Sequence, residues 1–390
     1  MQSEKVEMRL SELGKIVGGA TPSTKQKEYY DGDIAWITPK DLSEYNQRWI
    51  SHGNRSITKE GFDSCSTQML PKGSILFSSR APIGYVAIAE NPLCTNQGFK
   101  SIIPNESVVN PLYLYYLLKF YTPNIESTAS GTTFKEVSGA AMKNFKVIIP
   151  KSIEEQERIA NILDSLDNKI ENNNKIIKNL ENLAQKIVLT IMRNAKDKNN
   201  ALENYALINP KRTLKKGTHA RYIDMSALST VCATPEYCNF KDYAGGIKFS
   251  NGDSILARIT PCLENGKAAF INFLNENEIA FGSTEFITLH SKGELPNEFF
   301  YCLIRTKAFR EFAIKHLTGT SGRQRISAKD IEKYPLPTFN VKEVDYLNNH
   351  LPILFKYVLA CATQNKTLAQ IRDLLLHKLF SGDLEPLGKK

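Results

Sequence analysis

Residues 159–191 read IANILDSLDNKIENNNKIIKNLENLAQKIVLTI, and the spacing inside that stretch decides the fold. Ile159, Leu163, Leu166, Ile170, Ile177, Leu180, Ala184, Ile187 and Ile191 step by four and three, with Asn173 completing the register. This is a heptad seam, the pattern of a helix that buries one narrow stripe against another helix. The residues between, among them Asp164, Asn168, Lys169, Glu171, Lys175, Lys178, Glu181 and Gln185, are polar and predict a solvated remainder. A partner run follows later in the chain, where Leu347, Leu351, Leu354, Val358, Cys361, Leu368, Leu375 and Leu379 keep the same steps around Asn365 and Arg372. Polar Asn173 and Asn365 sit in the seams, where such residues fix register at some cost in stability. The plainer alternative is two unrelated amphipathic helices in separate cores, and an internal repeat argues against it.

The two halves of the chain match in order at an offset of about 180–190 residues. Gly73-Ser-Ile-Leu76 returns as Asp253-Ser-Ile-Leu256, followed by Arg80-Ala-Pro82 in one half and Arg258-Ile-Thr-Pro261 in the other. Pro111 and Tyr116 match Pro296 and Tyr301, and Ser130-Gly-Thr-Thr133 matches Thr318-Gly-Thr-Ser321. Phe145 to Pro150 then corresponds to Tyr334 to Pro337, and a heptad run follows in each half. One such match is chance; six in the same order indicate a duplicated unit of domain plus helix, far too long a period for a solenoid.

Ile34 to Ile37, Ser74 to Phe77, Tyr85 to Ala89, Ser101 to Ile103 and Lys146 to Ile149 are short apolar runs bounded by turn residues, and they predict strands. Pro111 to Phe120 begins with proline and predicts a buried helix. Ser152 with Glu155 three residues later predicts a capping box at the start of the first heptad helix. Arg193 to Asn200 is charged, rich in asparagine and linker-like. The fold class is therefore α/β (α+β), with two similar mixed domains joined by two long antiparallel coiled-coil helices and related by a pseudo-two-fold axis. The boundaries are 1–151 for the first domain and 152–199 for the first helix with its linker, then 200–338 for the second domain and 339–390 for the second helix. A helix of about 30–35 residues rising about 1.5 Å each would hold two domains on the order of 45–50 Å apart, as a ruler does.

With 390 residues there is room for more than one core, and 42% hydrophobic with 23% charged residues is the composition of a globular protein. The net charge of +9 and pI of about 9.0 suit a polyanion but by themselves decide little. The segment from Met1 to Leu10 has no apolar core of a signal peptide, and no run approaches the roughly 20 apolar residues of a membrane span. Seven scattered cysteines without Cys-x-x-Cys suggest a reducing, cytoplasmic setting, and six scattered histidines offer no metal site. No Walker loop, dinucleotide fingerprint or His-Glu-x-x-His occurs, and the Asn-Pro-Pro-Tyr type of motif of amino-methyltransferases is missing. Asp167-Asn-Lys169 has the look of a nuclease Asp-x-Lys but falls on a heptad face expected to be solvated.

The positive signal lies in paired loops that combine cations with small hydroxylated residues. Ser78-Ser-Arg-Ala-Pro-Ile-Gly84 and Ala257-Arg-Ile-Thr-Pro261 follow equivalent strands. Residues 127–135 and 318–327 follow equivalent helices and carry Thr132, Thr133 and Lys135 in one half, and Thr320, Ser321, Arg323, Gln324 and Arg325 in the other. Arginine forks onto guanine, glutamine onto adenine, and serine or threonine donates to phosphate, so such loops fit nucleic acid. The resulting candidate DNA contacts are Ser78, Ser79, Arg80, Asn96, Gln97, Thr132, Thr133 and Lys135 in the first half. In the second they are Arg258, Thr260, Lys267, Thr284, Thr320, Ser321, Arg323, Gln324 and Arg325, with Arg80 and Arg258 expected at base edges or nearby phosphates. Trp36 and Lys40 join them as a stacking or wedging pair, against the ordinary reading of Trp36 as core. The spacer between domains is assigned to Ile159, Leu163, Leu166, Ile170, Ile177, Leu180, Leu354, Val358, Leu368 and Leu375.

On these residues the chain resembles the specificity subunits of type I restriction-modification systems. The resemblance rests on Leu10-Ser-Glu-Leu-Gly-Lys-Ile16, Gly32-Asp-Ile-Ala-Trp-Ile37, Leu70-Pro-Lys-Gly-Ser-Ile-Leu76, Ser130-Gly-Thr-Thr133, residues 149–159 and Leu375 to Leu384. Pro352 inside the second heptad run, and Lys342-Glu-Val where the first half has Glu-Glu-Gln, depart from the family pattern. The family implies two target-recognition domains, each reading half of a split double-stranded DNA site, with helices that set the gap. It implies a non-catalytic chain that docks two adenine-N6 methyltransferase subunits and, for cleavage, motor-nuclease subunits. S-adenosylmethionine, ATP and Mg²⁺ would belong to those partners, with no cofactor on this chain. The competing readings are a tandem coiled-coil adaptor whose basic domains bind protein or RNA without reading sequence, and a self-sufficient methyltransferase.

Overall fold

The computed structural model describes every residue except 1–3, 44, 46, 132–134, 196–198, 321 and 385–390. The chain divides into two compact units, one of residues 1–171 with 368–390 and one of residues 172–367.

In the first unit the strand Ile75–Ser79 is buried along its whole length, and so it occupies the interior of a sheet with apolar neighbours on both faces. The five-stranded order is Gly14–Gly18, Lys100–Pro104, Ile75–Ser79, Ile83–Ala89, Trp49–Ile50. A three-stranded sheet of Arg55–Ile57, Tyr30–Ile37 and Cys94–Thr95 accompanies it. The predicted helix runs Pro111–Ser127, with Asn110 accepting the Tyr113 N–H at 2.9 Å as its N-cap. Its Leu114, Tyr116 and Leu117 share a core with Ile75, Phe77, Ile88 and Ile102.

The second unit repeats the order with fewer residues per strand. Lys5–Arg9, Leu10–Leu13 and Gly14–Gly18 run strand, short helix, strand, and so do Asn200–Ala201, Leu202–Tyr205 and Ala206–Ile208. Each first strand pairs antiparallel with the strand just before the following long helix, Lys146–Pro150 in one unit and Pro335–Leu336 in the other. The main sheet is ordered Ala206–Ile208, Phe286–Ser291, Ser254–Ala257, Ala268–Phe270. The second sheet is ordered Asn239–Asp242, His219–Ile223, Ala280–Gly282, Ile247–Phe249. The chain is thus a mixed α/β protein of two similar domains with two long helices.

Those helices are Ile153–Asn194 and Val341–Ser381. At the first, the Glu155 N–H donates to Ser152 Oγ at 3.4 Å while the Glu155 carboxylate pairs with Arg158, so the expected box forms on one side only. Gln156, fully buried, anchors this end: its amide donates to Val108 O (3.1 Å) and Pro150 O (2.9 Å), and its Oε1 accepts the Asn110 N–H at 2.8 Å. The second helix begins with a complete box, in which Asn340 and Glu343 each accept the other's N–H at 3.0 Å. Pro352 does not end it, because Leu351 and Phe355 on either side are both held in the second unit's core. Within that unit Asn173 Nδ2 donates to Gln364 Oε1 (2.8 Å) and Asn365 Oδ1 (2.9 Å), so the two seam asparagines meet.

The buried stripe is wider than a strict heptad. Ile159, Leu163, Ile177 and Val358 are buried as expected, whereas Leu166, Ile170, Leu180, Leu354, Leu368 and Leu375 are half-buried. Asp167, Val188, Phe355 and Leu376 are buried beside them, because within each unit both helix segments pack on that unit's core as well as on each other. Asp167 corrects the expectation of a solvated face: it is 4% exposed, accepts from the Tyr116 hydroxyl at 2.7 Å and pairs with Arg372 at 2.8 Å. A carboxylate tolerates such burial only when its charge and lone pairs are matched, and both are. Beside it Arg48, 3% exposed, joins Asp164, donates to Asn168 Oδ1 at 2.6 Å and pairs with Glu171 at 3.0 Å. In the second unit the matching tyrosine, Tyr301, lies against Phe355 and Phe270, and its hydroxyl is buried without a hydrogen-bond partner among the described residues.

All seven cysteines are free thiols. Among the described residues no helix is long and apolar enough to cross a membrane.

Candidate nucleic-acid interface

In each unit the fold brings together three loops that are distant in sequence. In the first, Ser79 at the end of its strand donates its N–H to Gly98 O at 2.7 Å, and its own carbonyl accepts the Val137 N–H at 3.0 Å. The 96–98 turn and the loop ending at Val137 therefore flank the strand end. Ser130 and Glu136 exchange backbone hydrogen bonds and close that last loop. In the second unit the Arg258 N–H donates to Glu285 O at 2.9 Å, the Arg258 carbonyl accepts from Ile326 N–H at 3.0 Å, and Thr318 and Arg325 close the corresponding loop. Both strand-end loops turn at a cis X-Pro bond three residues on, Ala81–Pro82 and Thr260–Pro261.

This hydrogen-bond frame corrects the expected pairing of Arg80 with Arg258. The residue equivalent to Arg258 is Ser79, the residue equivalent to Arg80 is Ile259, and Glu136 stands where the second unit has Arg325. The sequence match is one residue out of register because the two halves have Arg at different distances from the shared proline.

The side chains settle as follows. Ser78 and Ser79 are fully buried and hold the loop's own backbone: Ser78 Oγ donates to Pro82 O (2.8 Å) and accepts Tyr85 N–H (2.8 Å), and Ser79 Oγ donates to Gly98 O at 3.2 Å. Asn96 Oδ1 accepts the Gly98 N–H at 2.9 Å, and Gln97 accepts from the Thr21 hydroxyl. Trp36 is 4% exposed with its indole N–H on Ala20 O at 3.1 Å, so it belongs to the core and presents no surface for stacking. Lys40 and Lys135 are exposed, and Lys40's short helix, Pro39–Ser43, lies against the turn: a Cβ on Gly98 would stand 2.7 Å from Pro39 Cγ. Arg80 pairs with Glu136 at 3.3 Å, and Lys100 reaches the same carboxylate at 3.1 Å. Thr132, Thr133 and Ser321 lie outside the described residues.

In the second unit Arg325 forks onto Glu285, with Nε at 2.9 and 3.0 Å and Nη2 at 2.7 Å. The fork holds Glu285 below the usual carboxylate range, against the opposing effect of burial, and the charge of Arg258 adds to it. Arg258 is half-buried and its Nε has no hydrogen-bond partner among the described residues. Thr260 is spent on the loop, its Oγ1 accepting the Gln324 N–H at 3.2 Å, and Lys267 Nζ donates to Met225 O at 3.0 Å, away from a ligand role. Thr284, Thr320 and Arg323 are exposed.

Sequence reasoning passed over Glu136 and Lys100, and took Glu285 only as part of the Ser283-Thr-Glu285 turn matched to Asn96-Gln-Gly98, although these groups orient the candidate cations. Their signal was adjacency: each lies within two residues of a turn or cation already singled out. Such pairs hold a guanidinium or ammonium in place without neutralising the cluster, because cations outnumber carboxylates in both. No group of three or more His, Cys, Asp or Glu that could hold a metal ion occurs among the described residues.

Residues 2–182 match the family model described as the type I restriction modification DNA specificity domain. The type I restriction enzyme MjaIX specificity subunit of Methanocaldococcus jannaschii is 49% identical over 188 residues, 48% of this chain and 42% of that protein. The EcoR124I/EcoR124II specificity subunit of Escherichia coli is 32% identical over 165 residues, 40% of each. The chain thus spans about two fifths of the length of these curated relatives. The crystal structure of a type I restriction-modification S subunit from M. genitalium superposes with a TM-score of 0.61, covering 97% of this chain and 96% of that one. At 16% identity that likeness speaks for the fold alone.

Proposed function

We propose that this chain belongs to the type I restriction-modification DNA specificity family, whose model matches residues 2–182, and that each unit reads one half of a bipartite duplex DNA site. The carrying observation is the repeated convergence of three loops in one hydrogen-bond frame, filled with different side chains in the two units. A shared frame with different charges is what two domains need if they are to approach DNA alike and prefer different bases. Arg80, Asn96, Gln97 and Lys135 serve the first half-site, and Arg258, Arg323, Gln324 and Arg325 the second, with Lys40, Thr284 and Thr320 on phosphates.

The chain itself is non-catalytic in this reading, works in the cytoplasm and directs two adenine-N6 methyltransferase subunits, with motor-nuclease subunits joining for cleavage. Docking surface is available on the second long helix, where Tyr346, Ile353 and Tyr357 follow one helical face at 46%, 55% and 60% exposure. Co-purification of the chain with a methyltransferase subunit checks this directly.

Both long helices are continuous and would set the gap between half-sites. Removing one heptad from each is expected to change the gap while leaving both half-sites as they were, read by mapping methylated adenines. An unchanged gap would refute the spacer role.

A further inference from the structure

The loop that follows the strand Ala206–Ile208 reads Asn209-Pro-Lys-Arg-Thr-Leu-Lys-Lys216, with four cations and no acid. Its counterpart after Gly14–Gly18 in the first unit reads Gly19-Ala-Thr-Pro-Ser-Thr-Lys-Gln26, with one. That loop is tied down over the 95–97 turn, where the Ala20 N–H donates to Thr95 O at 3.1 Å and the Thr21 hydroxyl to Gln97. The second unit's loop instead borders a cavity of about 430 Å³.

The walls of that cavity are built. Asn209 and Thr288 bond to each other twice, at 2.8 and 3.0 Å, and fix the root of the loop on the neighbouring strand. Arg212 pairs at 2.6 Å with Asp253, a fully buried carboxylate, and donates to Ser250 Oγ at 3.0 Å, so its charge is already spent on the fold. Lys248 Nζ donates to Arg212 O at 2.9 Å, a carbonyl that orients the ammonium without neutralising it. Lys211 is exposed and makes no ion pair among the described residues. None of the residues lining the cavity is acidic. Two uncompensated ammonium groups at a pocket with a glycine in its wall fit a tetrahedral anion.

The cavity neighbours the candidate reading loops through one shared wall residue. Gly246 lines it and also a second cavity of about 250 Å³ whose wall continues to Ser283 and Thr284. Thr284 adjoins Glu285, the partner of Arg325. We propose that Lys211 and Lys248 form a phosphate-binding pocket for the DNA backbone, extending the second unit's grip beyond the residues that read bases. The proposal rests on the DNA-binding reading above and adds a site that carries no sequence information.

The test is the salt dependence of DNA binding by the full chain, alone and assembled with methyltransferase subunits. It is followed by fluorescence anisotropy on one duplex that contains the methylated motif and one that does not. Each lysine on a phosphate contributes a slope of about 0.9 in log K against log salt, so Lys211→Gln is expected to flatten it by about one and Lys211→Gln with Lys248→Gln by nearly two. The methylated sequence should not change. Lys248→Gln also removes an internal bond; Lys211→Gln does not and decides the matter if the double variant fails to fold. An unaltered slope overturns the proposal, as does wild-type protein that binds neither duplex. Protection by inorganic phosphate at matched ionic strength with an unaltered slope assigns the pocket to free phosphate and overturns it too. Equal binding of the two duplexes by wild-type protein would count against sequence reading, while the slope still decides the pocket.

Discussion

Tyr116 and Tyr301 hold matching places in the two units and meet opposite surroundings. Tyr116 donates to buried Asp167, inside a network that continues through Arg372, Arg48, Asp164 and Glu171. Tyr301 is enclosed by Phe355 and Phe270, and its hydroxyl has no hydrogen-bond partner among the described residues. The reading loops differ in the same way: Ser79 and Glu136 in one unit stand where Arg258 and Arg325 stand in the other. The backbone frame is what the duplication keeps. Polar partners are what each unit replaced.

The largest effect should come from breaking the ionic side of this comparison. Arg48→Ala leaves Asp164 and Glu171 without their shared cation, and removing one member of a buried ion cluster costs about 3–5 kcal/mol. Hydrogen exchange of first-unit amides should accelerate accordingly while second-unit amides hold. Preserved first-unit protection would show the network to be ornamental.

Next comes Glu181 in the second unit, whose carboxyl accepts the Ala233 N–H at 2.8 Å and is raised by burial to about 7. A carboxyl raised in the folded state takes up a proton that the unfolded chain, near the ordinary value, does not. The second unit therefore gains stability as pH falls from above 7 toward about 4.5, and loses it as pH rises through the same window, by about 2–3 kcal/mol in all. Glu181→Gln should flatten that dependence in urea titrations at pH 5, 6.5 and 8; a variant as pH-sensitive as the parent contradicts it.

The tyrosine pair sharpens the contrast itself. Tyr116→Phe removes a hydrogen bond to a charged group, a loss of about 1.5–3 kcal/mol, whereas Tyr301→Phe removes an unsatisfied hydroxyl and should be neutral or stabilising. Equal losses in thermal unfolding would erase the distinction. The smallest and most selective effect belongs to Arg258→Ala, expected to relax discrimination at the second half-site by about 1–3 kcal/mol and to leave the first untouched. A uniform loss over all sequences would make Arg258 a phosphate anchor.

The heptad spacing, the strands around Ile75 and Ile255 and the order of the repeat were legible because they follow from apolar periodicity. The long-range polar partners were not. Nothing local to Asp167 announces that Tyr116 and Arg372 will meet it, and a heptad rule assigns it to water. Trp36 shows the converse, since its neighbours Ile34 and Ile37 already gave the core reading that its burial supports. The loops were found from composition, but their register was not: Arg80 stands two residues before its proline and Arg258 three, and only the shared backbone bonds of Ser79 and Arg258 show that the proline, not the arginine, sets the equivalence.

Single-molecule mapping of N6-methyladenine in cells that express this chain with a methyltransferase subunit tests the central claim most directly. The account predicts a split motif that appears only when the chain is present, with its two halves altered independently by Arg80→Ala and Arg258→Ala. Assembled, expressed subunits that yield no new methylation, or a motif unchanged when the chain is withheld, would contradict it.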